Sequence, residues 1–278
     1  MRTELGKVKK IPPYLCINAE KEGAFVFHEK ARNITKTQTI LVVEPHPDDG
    51  ALSMGGYLFN RYLAGDRLIS AVIFMQEGEI GKQRQSETEF VWKAVLEGDC
   101  HYLNLPDQDL NLTNGEGIRI NRQAKDIVNQ VCEYVSGLIC EYSPDIVIFP
   151  MGIGEHPHHT IANMCFRLIY STHTACQYMF YEDFPYSDLS RIAYIRPVYR
   201  ICRQFRIIKE YHCISETILD KVNLIMAYQS QHTKTFDEVK GTLSDYGEAI
   251  LYEGIVEGNP LPKKGLYERL WKMKRGDG

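Results

Sequence analysis

A chain of 278 residues, 44% hydrophobic and 24% charged, has the bulk of one large mixed domain or two small ones and the composition of an ordinary soluble protein. Its formal charge of −4 argues against a nucleic-acid binder that works by bulk electrostatics. No apolar window is long enough to cross a membrane, and the charged start Met1-Arg2-Thr3-Glu4-Leu5 lacks the apolar core of a secretory signal.

Residues 1–37 lack clear periodicity and read as an N-terminal arm. Pro12-Pro13 breaks any helix there, and Ala24-Phe25-Val26-Phe27 suggests an edge strand. Thr39 to Val43 is a short apolar β-branched run that predicts a buried strand. Ala51 to Ala64 then reads as a helix, so His46, Asp48 and Asp49 fall on the loop where a strand ends and a helix begins. In open α/β sheets that carboxyl edge is where ligands bind. The plain alternative is that one of the two aspartates caps the helix. Gly55 and Gly56 interrupt the helical window and point to close packing, expected against the sheet.

Leu68 to Phe74 predicts a second strand. The polar loop Met75 to Gly81 follows, so Glu77 should border any site there. Arg84 and Glu87 open a helix running to about Leu96, and Arg84 reads equally as a substrate contact or a solvated residue. His101 to Leu105 predicts a third strand, closed by Pro106-Asp107-Gln108-Asp109. Asn111 to Gly117 is a loop, and Asn121 to about Glu141 has helical spacing of apolar positions. Asp145 to Pro150 is the clearest buried strand. The loop after it leads into Gly154-Glu155-His156-Pro157-His158-His159, followed by a helix over about Thr160 to Tyr170. Gln177 to Tyr181 is a further strand, ending in Glu182-Asp183-Phe184-Pro185-Tyr186. This alternation predicts a Rossmann-like three-layer α/β domain over residues 38–190, with a mostly parallel sheet.

Residues 191–278 read as a smaller α+β extension of the same domain that completes the pocket. Arginines at 191, 196, 200, 203 and 206 cluster with Tyr194, Tyr199 and Phe205, as a solvated segment, a lid, or a grip on an anionic group. Ile207 to Ile214 predicts a late strand, and Ser215 caps a helix through Tyr228. Tyr246 to Glu253 takes either regular form, and Leu266 to Lys274 reads as a short basic amphipathic helix packed on its own domain. Eight cysteines without a Cys-x-x-Cys pair read as buried reduced thiols of a cytoplasmic protein.

The two polar clusters fit one metal site. A catalytic zinc takes three protein ligands and keeps a position open. His46, Asp49 and His159 supply that set, although spacing alone does not choose between Asp48 and Asp49. The remaining carboxylate suits a general base, and His156 is free to donate to a developing oxyanion or protonate a leaving amine.

The chain resembles the LmbE-like, or PIG-L, family of zinc-dependent N-deacetylases. The family's His-Pro-Asp-Asp-Glu motif, followed by a Gly-Gly pair, matches His46-Pro47-Asp48-Asp49-Gly50 with Gly55-Gly56. Its His-Pro-Asp-His motif matches His156-Pro157-His158-His159. Arg84-x-x-Glu87, Leu105-Pro106-Asp107, Tyr181 to Tyr186 and Tyr228-Gln229-Ser230-Gln231 extend the likeness from about residue 38 to residue 235. The resemblance implies one zinc, or another divalent metal, on His46, Asp49 and His159, with Asp48 as base and His156 as electrostatic or acid catalyst. It implies an N-acetylglucosamine-type substrate. A small natural-product glycoside, such as an aminoglycoside intermediate, comes first, then thiol-cofactor precursors, then chitin-type disaccharides. Glu77, Arg84, Asp107, Asp183 and Tyr186 are the expected substrate contacts. The expected partner is this small amino sugar, with no nucleic acid and no membrane, and a homo-oligomer is compatible with the sequence. Two departures stand out. Gly50 replaces a Glu, which should loosen support of the loop. His158 replaces an Asp, which should leave His156 less basic. A non-catalytic sugar- or metal-binding descendant is the competing class, and it rests on those departures.

Overall fold

Strand residues of alternating parity feed two separate cores. In β1 (Thr39–Glu44), Leu41 and Val43 face one cluster while Ile40 and Val42 face the other. The same split divides Val147 and Phe149 from Ile146 and Ile148 in β4 (Ile146–Pro150), and Tyr178 and Phe180 from Met179 and Tyr181 in β5 (Gln177–Tyr181). A strand buried on both faces belongs to the middle layer of three, which is why these runs read as continuously apolar. The computed structural model describes residues 37–108, 110, 122–184, 186, 191–231 and 266–274. The expected features at residues 1–36, 109, 111–121 and 232–265 lie outside the described residues.

The sheet is seven-stranded in the order β3-β2-β1-β4-β5-β7-β6. β2 (Arg67–Met75) and β3 (Asp99–Pro106) run parallel to β1 on one side, and β4 and β5 on the other. One face carries α1 (Asp49–Leu63), α2 (Gly78–Glu89) with its π-helical continuation Phe90–Val95, and α6 (Ile218–Met226). The opposite face carries α3 (Arg122–Tyr142) and α4 (Pro157–Ile169). α5 (Arg191–Cys202) and β6 (Ile207–Cys213) follow, so residues beyond 190 continue the same sheet. The fold is the expected Rossmann-like one with a mostly parallel sheet. Among the described residues, no helix is long and apolar enough to cross a membrane.

Four local expectations are corrected. Residues 266–274 form no helix: β7 (Tyr267–Met273) is a strand lying antiparallel between β5 and β6. Glu268 on β7 is buried and accepts hydrogen bonds from the Gly56 and Tyr57 amides at 3.1 and 2.6 Å. Those amides need a partner because α1 kinks at Met54 (φ −148°), which breaks the helical ladder. Lys221 lies 2.6 Å from the same carboxylate and neutralises it.

The open sides of Gly55 and Gly56 do not face the sheet. A Cβ at Gly56 would lie 2.6 Å from the Ile214 side chain, and one at Gly55 3.1 Å from Lys221, so the close approach is to α6 and the turn before it. Ser215 does not begin α6, whose N-cap is Thr217. The cysteines are not uniformly buried. All seven described ones are free thiols, but Cys140, Cys202 and Cys213 are exposed.

Candidate metal centre

β1 and β4 are neighbours, yet the helices that follow them pack on opposite faces of the sheet. Their loops therefore diverge and leave a crevice at the strand ends, the topological switch point where α/β sheets bind ligands. Both polar clusters of the sequence fall in it.

The first loop is tied to itself. The His46 amide donates to Asp49 Oδ2 at 2.7 Å and the Asp49 amide returns to the His46 carbonyl at 3.3 Å. Asp48 occupies the N-cap position of α1 but makes no capping bond with its side chain. Its Oδ1 lies 3.3 Å from the Arg84 guanidinium instead.

The second loop needs unusual backbone. Gly152, Gly154 and Glu155 have φ of +80°, +83° and +56°, and a positive φ is uncommon for a side chain such as Glu. At Gly154 a Cβ would also strike the Tyr186 side chain at 2.6 Å. His156 is the N-cap of α4 and Pro157 its first residue, where proline's fixed φ fits and no amide is lost. The helix thus starts three residues before the expected point, and His158 and His159 both stand in its first turn.

His159 is buried, and its Nδ1 donates to Asp183 Oδ1 at 2.6 Å. Asp183 Oδ2 accepts the Ile153 amide at 2.7 Å. This holds the imidazole with Nε2 facing Asp49 Oδ1 at 3.4 Å, and Nε2 has no hydrogen-bond partner. His46 Nδ1 lies 3.3 Å from the other oxygen of Asp49. His46, Asp49 and His159 offer ligand atoms all within 4.8 Å of one another, and so do His46, His156 and His158. An orphaned imidazole nitrogen beside a buried carboxylate fits a divalent cation with nitrogen and oxygen ligands. Burial alone would raise the Asp49 carboxyl, but His159 and His46 overcome it and hold it at about 2. Burial opposes charge on His159, yet Asp49, Asp183 and Asp48 raise its pKa to about 9. The pocket is thus built for positive charge.

His156 and His158 adjoin this group, with ring centroids 5.2 and 5.0 Å from that of His46. The His156 Nδ1 is buried without a partner, and its ring stacks with Tyr186 at 5.8 Å. Burial, then the neighbouring His159, His46 and His158, holds its pKa at about 4. Low basicity was expected, but the leading cause is burial and not a missing carboxylate. The polar contacts of His158 go elsewhere than to His156. Its Nδ1 lies 2.8 Å from His46 Nε2, its Nε2 lies 3.1 Å from the Gln108 carbonyl, and its ring stacks on Phe74 at 3.9 Å. It makes no hydrogen bond with His156, although the two rings meet edge-on at 5.2 Å.

The expected substrate contacts divide. Glu77 is exposed at the N-cap of α2, Asp107 is half-buried, and Tyr186 half-covers the histidines. Arg84 and Asp183 sit deeper than a substrate contact should. Arg84 is buried in α2, which starts at Gly78, and its guanidinium bridges Asp48 and Asp107 at 3.3 and 3.6 Å. Asp183 is fully buried beneath His159. Glu44 was overlooked, although a carboxylate ending an apolar strand is a visible signal. Fully buried, it accepts the Gly50 amide at 2.8 Å and the Ser70 hydroxyl. A Cβ at residue 50 would lie 2.7 Å from its Oε2. The space beside Gly50 is therefore filled by a carboxylate from β1.

Asp183 gives a direct test. Asp183→Ala should weaken metal binding about 10–100-fold, the usual effect of removing the partner of a metal-binding histidine. Competition of the purified variant against a fluorescent chelator measures this, and unchanged affinity would separate Asp183 from the metal.

Residues 41–170 match the model of the family described as PIG-L: GlcNAc-PI de-N-acetylase. No curated protein matches the chain in sequence. Among solved structures, a deacetylase–bog complex in the biosynthesis pathway of teicoplanin superposes with a TM-score of 0.67 at 20% identity, covering 86% of this chain and 99% of that one. The A40926 pseudoaglycone deacetylase Dbv21 superposes with a TM-score of 0.64 at 19% identity, covering 87% and 98%. The N,N'-diacetylchitobiose deacetylase of Pyrococcus horikoshii does so at 0.53 and 16% identity, covering 84% and 83%. At such identities the superpositions speak for the fold.

Proposed function

We propose that this chain, whose residues 41–170 carry a PIG-L family domain, uses one zinc ion to remove the N-acetyl group from an amino sugar in a small natural-product glycoside. The match of residues 41–170 to that family model supports the reading of a carbohydrate N-deacetylase, a hydrolase acting on a small-molecule glycoside. Zinc, the natural-product substrate and the residue roles go further. They rest chiefly on one observation, the convergence of His46, Asp49 and the unpartnered His159 Nε2 beside Asp48.

In this reading His46, Asp49 and His159 hold the metal. Asp183 and the Asp49–His46 turn fix the ligands in place. A divalent metal there supplies Lewis acidity to the amide carbonyl and makes water more acidic. Asp48, held by Arg84, takes the proton from the water that adds to the carbonyl carbon. With a pKa near 4, His156 is a neutral imidazole at pH 7, so it donates one N–H to the developing oxyanion and carries no charge there. The C–N bond breaks, the nitrogen takes the proton held by Asp48, and acetate and a free amine result. Arg84 acts here as a positioning residue. Glu77, Asp107 and Tyr186 line the mouth and select the sugar.

The teicoplanin and A40926 deacetylases among the structural neighbours support a natural-product glycoside. The diacetylchitobiose deacetylase keeps a chitin-type disaccharide as the second reading. Acetate release by the zinc-loaded protein over a panel of N-acetylated amino-sugar glycosides decides between them. Turnover should be fastest on natural-product glycosides. Release from none would sink the deacetylase reading, and preference for diacetylchitobiose would sink the natural-product one.

A further inference from the structure

Away from the crevice, the end of α4 and the outer face of α5 enclose a second concavity. Arg167, Arg196, Tyr199, Arg200, Arg203 and Gln204 line a cavity of about 520 Å³. Guanidinium groups from α4, α5 and the turn after α5 line one space. Glu155 pairs with Arg200 at 2.7 Å and more loosely with Arg196 at 3.8 Å. Among the described residues, neither Arg167 nor Arg203 has an acidic partner, and the Arg167 Nε is buried without a hydrogen bond. Burial, then the like charge of Arg200, lowers the pKa of Arg167. Arg167 is half-buried at the floor, while Arg196 and Arg203 are exposed at the rim, Arg203 lying over the Tyr199 ring at 5.9 Å. Here they converge with one carboxylate between four positive charges.

We propose that this arginine cleft binds a phosphate group. A phosphate presents three oxygens to planar forks of N–H donors, whereas one carboxylate satisfies one fork. The cavity falls in the size range of small-molecule sites, about 300–1,000 Å³, and exceeds what a bare phosphate fills, so it has room for the molecule that carries the group. Its position matters because Glu155, gripped by Arg200, immediately precedes His156. The phosphate arrives either on the amino-sugar substrate or on a separate ligand, including free phosphate. The binding itself does not depend on the deacetylase reading.

Calorimetric titration of the zinc-loaded protein with inorganic phosphate tests it, beside the double variant Arg167→Gln/Arg203→Gln. These two arginines leave the Arg200–Glu155 pair intact. Wild type should bind phosphate, and the double variant at least about tenfold more weakly with zinc content unchanged, since two charge-assisted hydrogen-bond donors are removed. Absence of binding to wild type, or equal binding to the variant, overturns the proposal. KM for a phosphorylated against an unphosphorylated N-acetylglucosamine glycoside then identifies the source. A lower KM for the phosphorylated one, lost in the double variant, places the phosphate on the substrate. Equal KM values with phosphate binding retained place it on a separate ligand. No acetate release from any sugar, with phosphate still bound, would fault the deacetylase reading and leave the cleft standing.

Discussion

His159→Ala is expected to leave the purified protein nearly free of zinc and without measurable acetate release. The side chain is buried, its Nδ1 is fixed by Asp183, and its unpartnered Nε2 faces Asp49. In the proposed site the change takes away a ligand, so the loss should exceed the roughly 10–100-fold that removing an outer partner costs. The variant also separates two placements of the metal. His46→Ala empties both candidate groups, whereas His159→Ala spares the group formed by His46, His156 and His158. Stoichiometric zinc in His159→Ala, measured by plasma emission, would move the metal to the three-histidine group and overturn the assignment. Zinc lost from His159→Ala but retained by His158→Ala is the expected pair of results. Circular dichroism of both variants guards against unfolding, since Asp183 loses a buried partner in the first.

The core of this fold was legible because its strands are short, apolar and buried on both faces. β1, β4 and β5 stand within a residue of their expected bounds, and the His46 and His159 clusters sit at the strand ends where the pattern put them. The failures share a physical cause: they depend on partners distant in sequence. Leu266, Leu270 and Trp271 fit one helical turn as well as a strand, and only pairing with β5 and β6 decides between them. The neighbour of Gly56 is Ile214, which no local pattern announces. At the site, a carboxylate at position 183 was visible, but its inward direction under His159 was not. His158 does help to lower His156, but its 2.8 Å contact with His46 was not legible from chain order. Glu44 shows the converse. It fills the space beside Gly50, so the position where the motif residue is missing has the carboxylate at the end of β1 against it.

Asp48→Asn separates three readings of one side chain. As a helix cap, Asn serves about as well as Asp, so neither stability nor rate should move. As a metal ligand, the change should release zinc. As the general base, it should keep zinc and stability but lower kcat by about 10²–10⁴, the typical worth of a positioned acid–base group. The geometry favours the third. The Asp48 side chain makes no capping bond, and it is Asp49 whose carboxylate faces both His46 and His159. Asn keeps the shape and an oxygen toward the Arg84 guanidinium at 3.3 Å, so the loop has no reason to move. What it loses is the ability to hold a proton. The fall should therefore appear in kcat with KM little changed, since the interaction is made in the transition state and not with bound substrate. A variant as fast as wild type would return Asp48 to the cap, and one without zinc would make it a ligand. Thermal melting, zinc content and acetate release on the same preparation distinguish all three.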